Sequence, residues 1–491
     1  MMKRITIYPI LLFAALAASV SSCDDFIDKF PENKVDVKQV DYTKISDMYM
    51  PVSGLYAQAR NNFSFWGGYG LMSVRGDDAD KGSSPTDQIE FTYCKQFQYA
   101  KIKGYWALNA TWEGLYKVVS VANSAIESLN EYKKNITTDA DLQKYNQYMG
   151  EVRFIRAYAY FRIVNLWGDA PLITDNKQAG VTKVKAATLF KFIDDELQFC
   201  SDVLPAIRPN EQVGRLGAVT KYSALALKAK VNLYTSNWDG VLAATSKIIG
   251  DGKFGLYGDY YQLFKIPGKL CDESLYELQY TDFGLGSGDV VTSDNWFAFQ
   301  GPRGGSNPVQ GWGFITPTQS LITFMTARNE GVRASTTFMF TNATTPSGDF
   351  IPKGNPGEPT CYNGKAYTPA NQMTSGRSDY GMNNNIRILR YADVLLMDAE
   401  AKIRKGQNGD ASINLVRQRA GLAPLTNATI DQVIDERRAE LAMEWGDRFF
   451  DLVRTDKAKD VLVGFVKGQS EYYPIPQNQI DLNPNLDQPA K

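Results

Sequence analysis

No histidine occurs among the 491 residues. That absence removes Ser-His-Asp and Cys-His nucleophilic machinery, HExxH zinc sites and any imidazole general base. It leaves carboxylate-only chemistry, such as glycoside hydrolysis by an Asp/Glu pair. Cysteine is scarce too. Of five, Cys94, Cys200, Cys271 and Cys361 stand far apart with no CxxC spacing, which excludes a zinc ribbon and leaves buried thiols or one or two disulfides open. Neither sign of charge is in excess: 53 Lys plus Arg stand against 54 Asp plus Glu. The basic face that nucleic acid requires is therefore missing. Beyond the N-terminal stretch no long apolar run appears. With 44% hydrophobic and 22% charged residues, the remainder reads as a globular chain able to bury a large core.

What is present begins with LLFAALAASVSSC at residues 11–23. Lys3 and Arg4 precede an apolar run from Ile5 to about Val20. The run is short for a membrane span and reads as a secretory signal. Small residues Ser19, Ser21 and Ser22 lead to Cys23, an arrangement that resembles a bacterial lipobox. Residues 1–22 are expected to be a lipoprotein signal peptide, and residues 23–40 an acidic tether behind a lipidated Cys23. More than one acyl chain at ~0.8 kcal/mol per buried CH₂ suffices for stable attachment.

Helical periodicity dominates residues 41–280. In NQYMGEVRFIRAYAYFRIVNLW (146–167), Tyr148, Val152, Ile155, Ala159, Ile163 and Leu166 recur at three- and four-residue steps and predict one apolar stripe. KYSALALKAKVNLYTSNWDGVLAATSKIIG and RYADVLLMDAEAKIRKGQNGDASINLVRQRAG share a design: an alanine-rich helix, a polar turn, a shorter helix. Paired helices with small residues at the contact are the unit of tetratricopeptide-type solenoids. A further helix is predicted at 430–454. Residues 281–380 differ, because Gly, Ser, Asn, Thr and Pro crowd the segment and the helical period disappears. An irregular subdomain is expected there, with residues 381–491 returning to helices that complete the platform.

Together, several segments resemble the SusD/RagB family of Bacteroidetes surface nutrient-binding lipoproteins. They are SCDDFIDKFPEN after the lipobox, EVRFIRAYAYFRIVNLWGDAPLI (151–173), GWGFITPTQSLITFM (311–325), ILRYADVLLMDAEAKIRKG (388–406), INLVRQRAGL (413–422), ERRAELAMEWGDRFFDLVR (436–454) and YYPIPQNQIDLNPNL (472–486). The resemblance implies a mainly α fold, a tetratricopeptide-like helix-hairpin scaffold with a loop-rich subdomain carrying little strand. It implies an outer-membrane location facing the exterior, a SusC-like TonB-dependent transporter as partner, an oligosaccharide ligand, no catalysis and no cofactor. The peptide-binding RagB branch is the alternative ligand class, a carboxylate-dependent glycosidase a more remote one, and a purely structural lid a third.

Sugars present flat C–H faces that stack on Trp and Tyr rings, and hydroxyls that need polar partners. NNFSFWGGYG (61–70) offers Trp66 and Tyr69 among glycines. DNWFAFQGPRGGSNP (294–308) offers Trp296, Phe299, Gln300, Arg303 and Asn307. These seven are the expected glycan contacts, against the competing reading that the rings fill the core. Trp106, Trp112, Trp167, Trp312 and Trp445 are assigned to packing. Asp77, Asp78 and Asp80 in GDDAD supply oxygens that calcium could use, but EF-hand spacing is missing, and a solvated acidic turn is the favoured reading. Glu436, Glu440 and Glu444 sit at four-residue steps beside Arg437 and Arg438. An ion network tying this helix to its neighbours is favoured over an acid/base pair.

Overall fold

A computed structural model describes residues 40–178, 180–280, 296–303, 310–373 and 383–491. The signal peptide, Cys23 and most of the acidic tether lie outside these residues, as does Asn307.

The helices that carry the scaffold are α1 (Met50–Phe63), α2 (Trp66–Ser73), α3 (Trp106–Lys133), α4 (Asp139–Trp167), α5 (Ala186–Val203), α6 (Lys221–Tyr234), α7 (Trp238–Gly250), α8 (Tyr391–Arg404), α9 (Asp410–Arg419), α10 (Ile430–Leu441) and α11 (Asp447–Arg454). Packing follows chain order: α3 lies on α4, α4 on α5, α5 on α6, α6 on α7, α7 on α8, and α8 on α9 and α10. This is the nearest-neighbour stacking of a helical-hairpin solenoid. Local chemistry places the starts. Thr138 caps α4 by accepting from the Asp141 N–H, and Asn237 caps α7 by accepting from Gly240. Thr220 with Ser223, and Thr429 with Gln432, form reciprocal boxes at the starts of α6 and α10. The alanines at the predicted hairpin contacts, Ala224, Ala226, Ala229, Ala392, Ala399 and Ala401, are all buried.

Two expectations fail here for identifiable reasons. The stripe on α4 is not a stripe: from Gly150 to Trp167 every residue but Arg153 is buried. The residues read as its solvent face are answered internally. Arg156 pairs with Glu196 at 2.7 Å, and Arg162 donates to the Phe63 carbonyl at 3.2 Å. The helix predicted over 430–454 is broken at 442–446, between α10 and α11. Met443 and Gly446 take φ of +62° and +72°. A Cβ at 446 would lie 2.6 Å from the Met72 carbonyl oxygen, so the close approach of α2 requires glycine there. The break frees the Met443 carbonyl to accept from Tyr69 (3.1 Å) and Asn363 (2.8 Å).

Strands are short and come in antiparallel pairs. β1 (Ala79–Gly82) pairs with β3 (Phe314–Pro317), and β2 (Ser274–Leu278) pairs with β4 (Ile386–Arg390). Each joins a helical segment to the region between 281 and 390. That region also holds the helices Trp296–Gln300, Gln319–Ala327 and Gly331–Thr337, and a pairing of Phe338–Phe340 with Cys361–Asn363. The four cysteines beyond Cys23 are free thiols.

Candidate functional site

Three chain segments bring aromatic rings to one corner. Phe65 and Trp66 stand at the entry to α2, Trp106 is the first residue of α3, and Trp312 precedes β3. The Trp66 ring lies 5.2 Å from Trp106 and 5.9 Å from Trp312, crossing them at 68° and 81°. Phe65 closes the group at 5.7 Å from Trp66 and 6.2 Å from Trp106. Beneath, Trp66 rests on Phe299 at 4.9 Å, and Phe299 stacks on Phe314 at 4.9 Å and 16°. The upper rings face water: Trp106 is 48% exposed, and Phe65, Trp66 and Trp312 are half-buried. The lower pair is fully covered. A buried aromatic layer therefore holds an exposed one in fixed geometry, the arrangement a stacking surface needs.

The turn between β1 and the next helix supplies polar edges. Gln88, held at φ +46°, accepts at one oxygen from the Trp106 indole (3.2 Å) and the Tyr105 hydroxyl (2.6 Å). Arg303 is half-buried beside it, donating to the Ser83 hydroxyl at 2.8 Å and lying 3.4 Å from Glu358 and 3.8 Å from Asp87. Rings flanked by an amide, a guanidinium and carboxylates offer both the apolar face and the hydrogen-bonding groups that a pyranose presents in complement.

The residues expected to bind ligand divide. Trp66 and Arg303 are at this corner. Tyr69, Phe299 and Gln300 are not available to a ligand, because each is fully buried. The glycines beside Tyr69 do not leave it uncovered, because rings from other segments close over it. Gly70 has no side chain, so the Phe91 ring comes down where a Cβ would sit 2.4 Å away, while Trp296 covers Tyr69 at 4.3 Å. Gln300 accepts from the Asn363 amide at 2.7 Å in the core. Trp296 is half-buried, packs between Tyr69 and Trp445, 4.9 Å from the latter, and lines a cleft of about 40 Å³ with Lys365, Arg387 and Glu444. One assignment to packing is overturned, since Trp106 is 48% exposed, while Trp312 is half-buried and packs against the core beside Trp66. Trp112, Trp167 and Trp445 are buried. The signal for Trp106 was in the sequence. The buried face of α3 runs through Ala107, Leu108, Thr111, Trp112 and Leu115, whereas Trp106 shares its side of the helix with Asn109, Ala110 and Glu113.

The carboxylate clusters are neutralised. Asp77 binds Arg448 (2.7 Å) and Arg438 (2.9 Å), Asp78 binds Arg438 (2.7 Å), and Asp80 binds Lys95 (2.6 Å). A cation here would have to displace these partners. Among the described residues no three His, Cys, Asp or Glu side chains gather around a common point. Glu436 meets Arg328, Arg333 and Arg417 at 2.7–2.9 Å. Glu440 meets Arg333, Arg390 and Arg419 at 2.5–2.9 Å, and Glu444 meets Arg390 (2.6 Å) and Lys365 (2.9 Å). Burial pushes Glu440 and Glu444 up, but the surrounding cations outweigh it and hold both below the ordinary glutamate range. Neither can carry a proton near neutrality, so neither is suited to act as a general acid.

Comparison with known proteins fits this architecture. The family described as SusD family matches residues 322–471, and the family described as starch-binding associating with outer membrane matches residues 25–233. A SusD-like protein P25 from Formosa agariphila is 26% identical over 97% of both chains. A SusD-like protein from Bacteroides ovatus is 28% identical over 90% of this chain and 82% of its own. Among solved structures, surface glycan-binding protein A from Bacteroides thetaiotaomicron superposes with a TM-score of 0.75 at 24% identity, covering 91% of this chain and 98% of that one. The same protein in complex with laminarihexaose gives 0.72 at 24% identity, over 88% and 97%. With a hairpin solenoid, a loop-rich insertion and two family matches spanning both halves, the chain belongs to the SusD family.

Proposed function

We propose that this protein captures oligosaccharide at the Phe65–Trp66–Trp106–Trp312 corner and delivers it to a TonB-dependent outer-membrane transporter of the SusC type. It does so as a surface lipoprotein anchored through Cys23, and without catalysis. One observation carries the reading: Trp66 lies within 6 Å of Trp106 and of Trp312, indoles from two other chain segments, and the group is only partly covered above a buried aromatic base. A core has no use for a half-exposed tryptophan, and a sugar face does. The carboxylates that a glycosidase would need are held by arginines. The structural relative with laminarihexaose makes β-glucan the first ligand to try.

The test is calorimetry of residues 24–491 against a polysaccharide panel that includes laminarin, with a mixed peptide digest alongside. A glycan that binds the native chain and is lost in Trp66→Ala and Trp106→Ala establishes ligand class and site together. Peptide binding without glycan binding transfers the protein to the RagB branch. Glycan binding that survives both substitutions places the site elsewhere.

A further inference from the structure

A second pocket opens between α1, the 215–218 turn and β2. It encloses about 280 Å³ and is lined by Tyr49, Tyr56, Arg60, Arg215, Tyr276 and Gln279, among others. Its two arginines differ. Arg215 is committed: it pairs with Glu151, and its guanidinium lies 5.1 Å from each of the Tyr49 and Tyr148 rings. Glu151 is in turn fixed by the Tyr56 hydroxyl at 3.0 Å, and that hydroxyl accepts from the Val219 N–H at 3.0 Å. This wall is rigid and fully bonded. Arg60 is not. Its guanidinium has no hydrogen-bond or ion-pair partner among the described residues, and its Nε is buried with no acceptor. Its charge lies 5.6 Å from the Tyr280 ring.

Arg60 stands in the last turn of α1, where the helix dipole favours a cation by about 0.3–1 kcal/mol. That explains the sign of the charge and leaves the N–H groups unanswered. An unanswered, partly desolvated donor is costly to a fold. It is what a preorganised receptor for an anion looks like. A planar guanidinium with a free edge matches a carboxylate bidentately. Beside it stand tyrosine rings and the Tyr276 hydroxyl, which makes no hydrogen bond among the described residues. They supply a face and a donor for a pyranose. The volume lies near the lower end of small-molecule clefts.

We infer that this pocket is a second ligand site that takes a carboxylate-bearing sugar, a hexuronate residue, with Arg60 holding the carboxylate. The site is separate from the aromatic corner and does not depend on that corner's binding neutral glycan.

The experiment uses residues 24–491 and two probes, sodium glucuronate and its methyl ester, titrated by calorimetry at low ionic strength. Glucuronate is expected to bind, and the uncharged ester at least tenfold more weakly. Arg60→Gln should weaken glucuronate at least tenfold. Arg60→Lys, which keeps the charge but loses the planar fork, should fall between. Trp106→Ala should leave glucuronate binding unchanged, which separates this site from the aromatic corner. Far-ultraviolet circular dichroism confirms that each variant is folded. No glucuronate binding, equal binding of acid and ester, or full retention in Arg60→Gln overturns the inference. Displacement by acetate as effectively as by glucuronate overturns the sugar part of it.

Discussion

Two regions of this molecule invert the usual division between inside and outside. Around α10, charged side chains are buried and bonded to one another: Glu273, Glu436, Glu440 and Glu444 interleave with Arg333, Arg390 and Arg419. At the start of α3, large rings stand in water with buried rings below them. The first region is polar where a core is usually apolar, and every carboxylate in it has at least two cationic contacts or a cation plus a hydrogen bond. The second is apolar where a surface is usually polar, and Trp106 at its edge is about half exposed. The lesson concerns how to tell structure from function. A group whose chemistry is used up internally, however unusual its position, holds the fold together, and one whose chemistry is left over is available to a ligand.

This contrast can be broken from either side. The largest effect is expected in the ion network. Glu440→Ala leaves Arg333, Arg390 and Arg419 short of a shared anion and should cost about 3–5 kcal/mol of stability, read as a drop in Tm. Glycan affinity of the folded fraction should not change. Trp106→Ala should do the reverse: binding weakens about 10- to 100-fold in calorimetry, as for truncation of a central aromatic contact, while stability moves by less than about 1 kcal/mol. A Trp106→Ala protein that unfolds with glycan affinity intact would erase the distinction.

Acid offers a third test. Glu440, Glu444 and Asp451 have folded pKa values held below their ordinary ones, in each case because arginine or lysine charges outweigh the burial that pushes them up. Stability from such groups is fully present above their unfolded values and is lost as pH falls through the folded ones. Asp78 and Asp447 are raised by burial and oppose the trend. No histidine titrates between pH 6 and 8, but burial lowers Lys365 to about 8 and Lys265 well below the usual lysine range, so stability from those two shifts on the alkaline side. Tm should fall steeply below about pH 4. Glycan binding should show no step between pH 5 and 8. The smallest effect is expected at the rim. Gln88→Ala removes the acceptor that orients the Trp106 indole and should weaken glycan binding by a few-fold, about 0.5–1.5 kcal/mol, without a change in Tm.

Much of the scaffold was legible because hairpin contacts need small residues and helix starts need caps, and both are visible as residue types. The ion network was legible for the same reason, since three glutamates at four-residue steps beside arginines declare a shared face. Distance in sequence hid the rest. Nothing near Trp66 states that Trp106 and Trp312 arrive beside it, and nothing near Tyr69 states that Trp296 and Trp445 cover it. The exposure of Trp106 could have been read from its phase on α3, because it falls on the side of Asn109 and Glu113. The break at 442–446 could not. MEWGDRFF continues a helical pattern, and only the approach of α2 to Gly446 requires the left-handed turn. Arg60 was equally silent, since a lone arginine in a helix carries no mark that its guanidinium finds no partner among the described residues.

The crossing of the three indoles has an optical consequence. Trp66 lies 5.2 Å from Trp106 and 5.9 Å from Trp312, at steep mutual angles. Indole transition dipoles held that close in a fixed chiral arrangement mix, giving the corner its own near-ultraviolet circular-dichroism band and making its emission sensitive to whatever touches it. A sugar bound there as proposed would displace water from these chromophores. Occupancy of the proposed site would then be written into the intrinsic spectrum of the protein, where it could be followed in real time without a label.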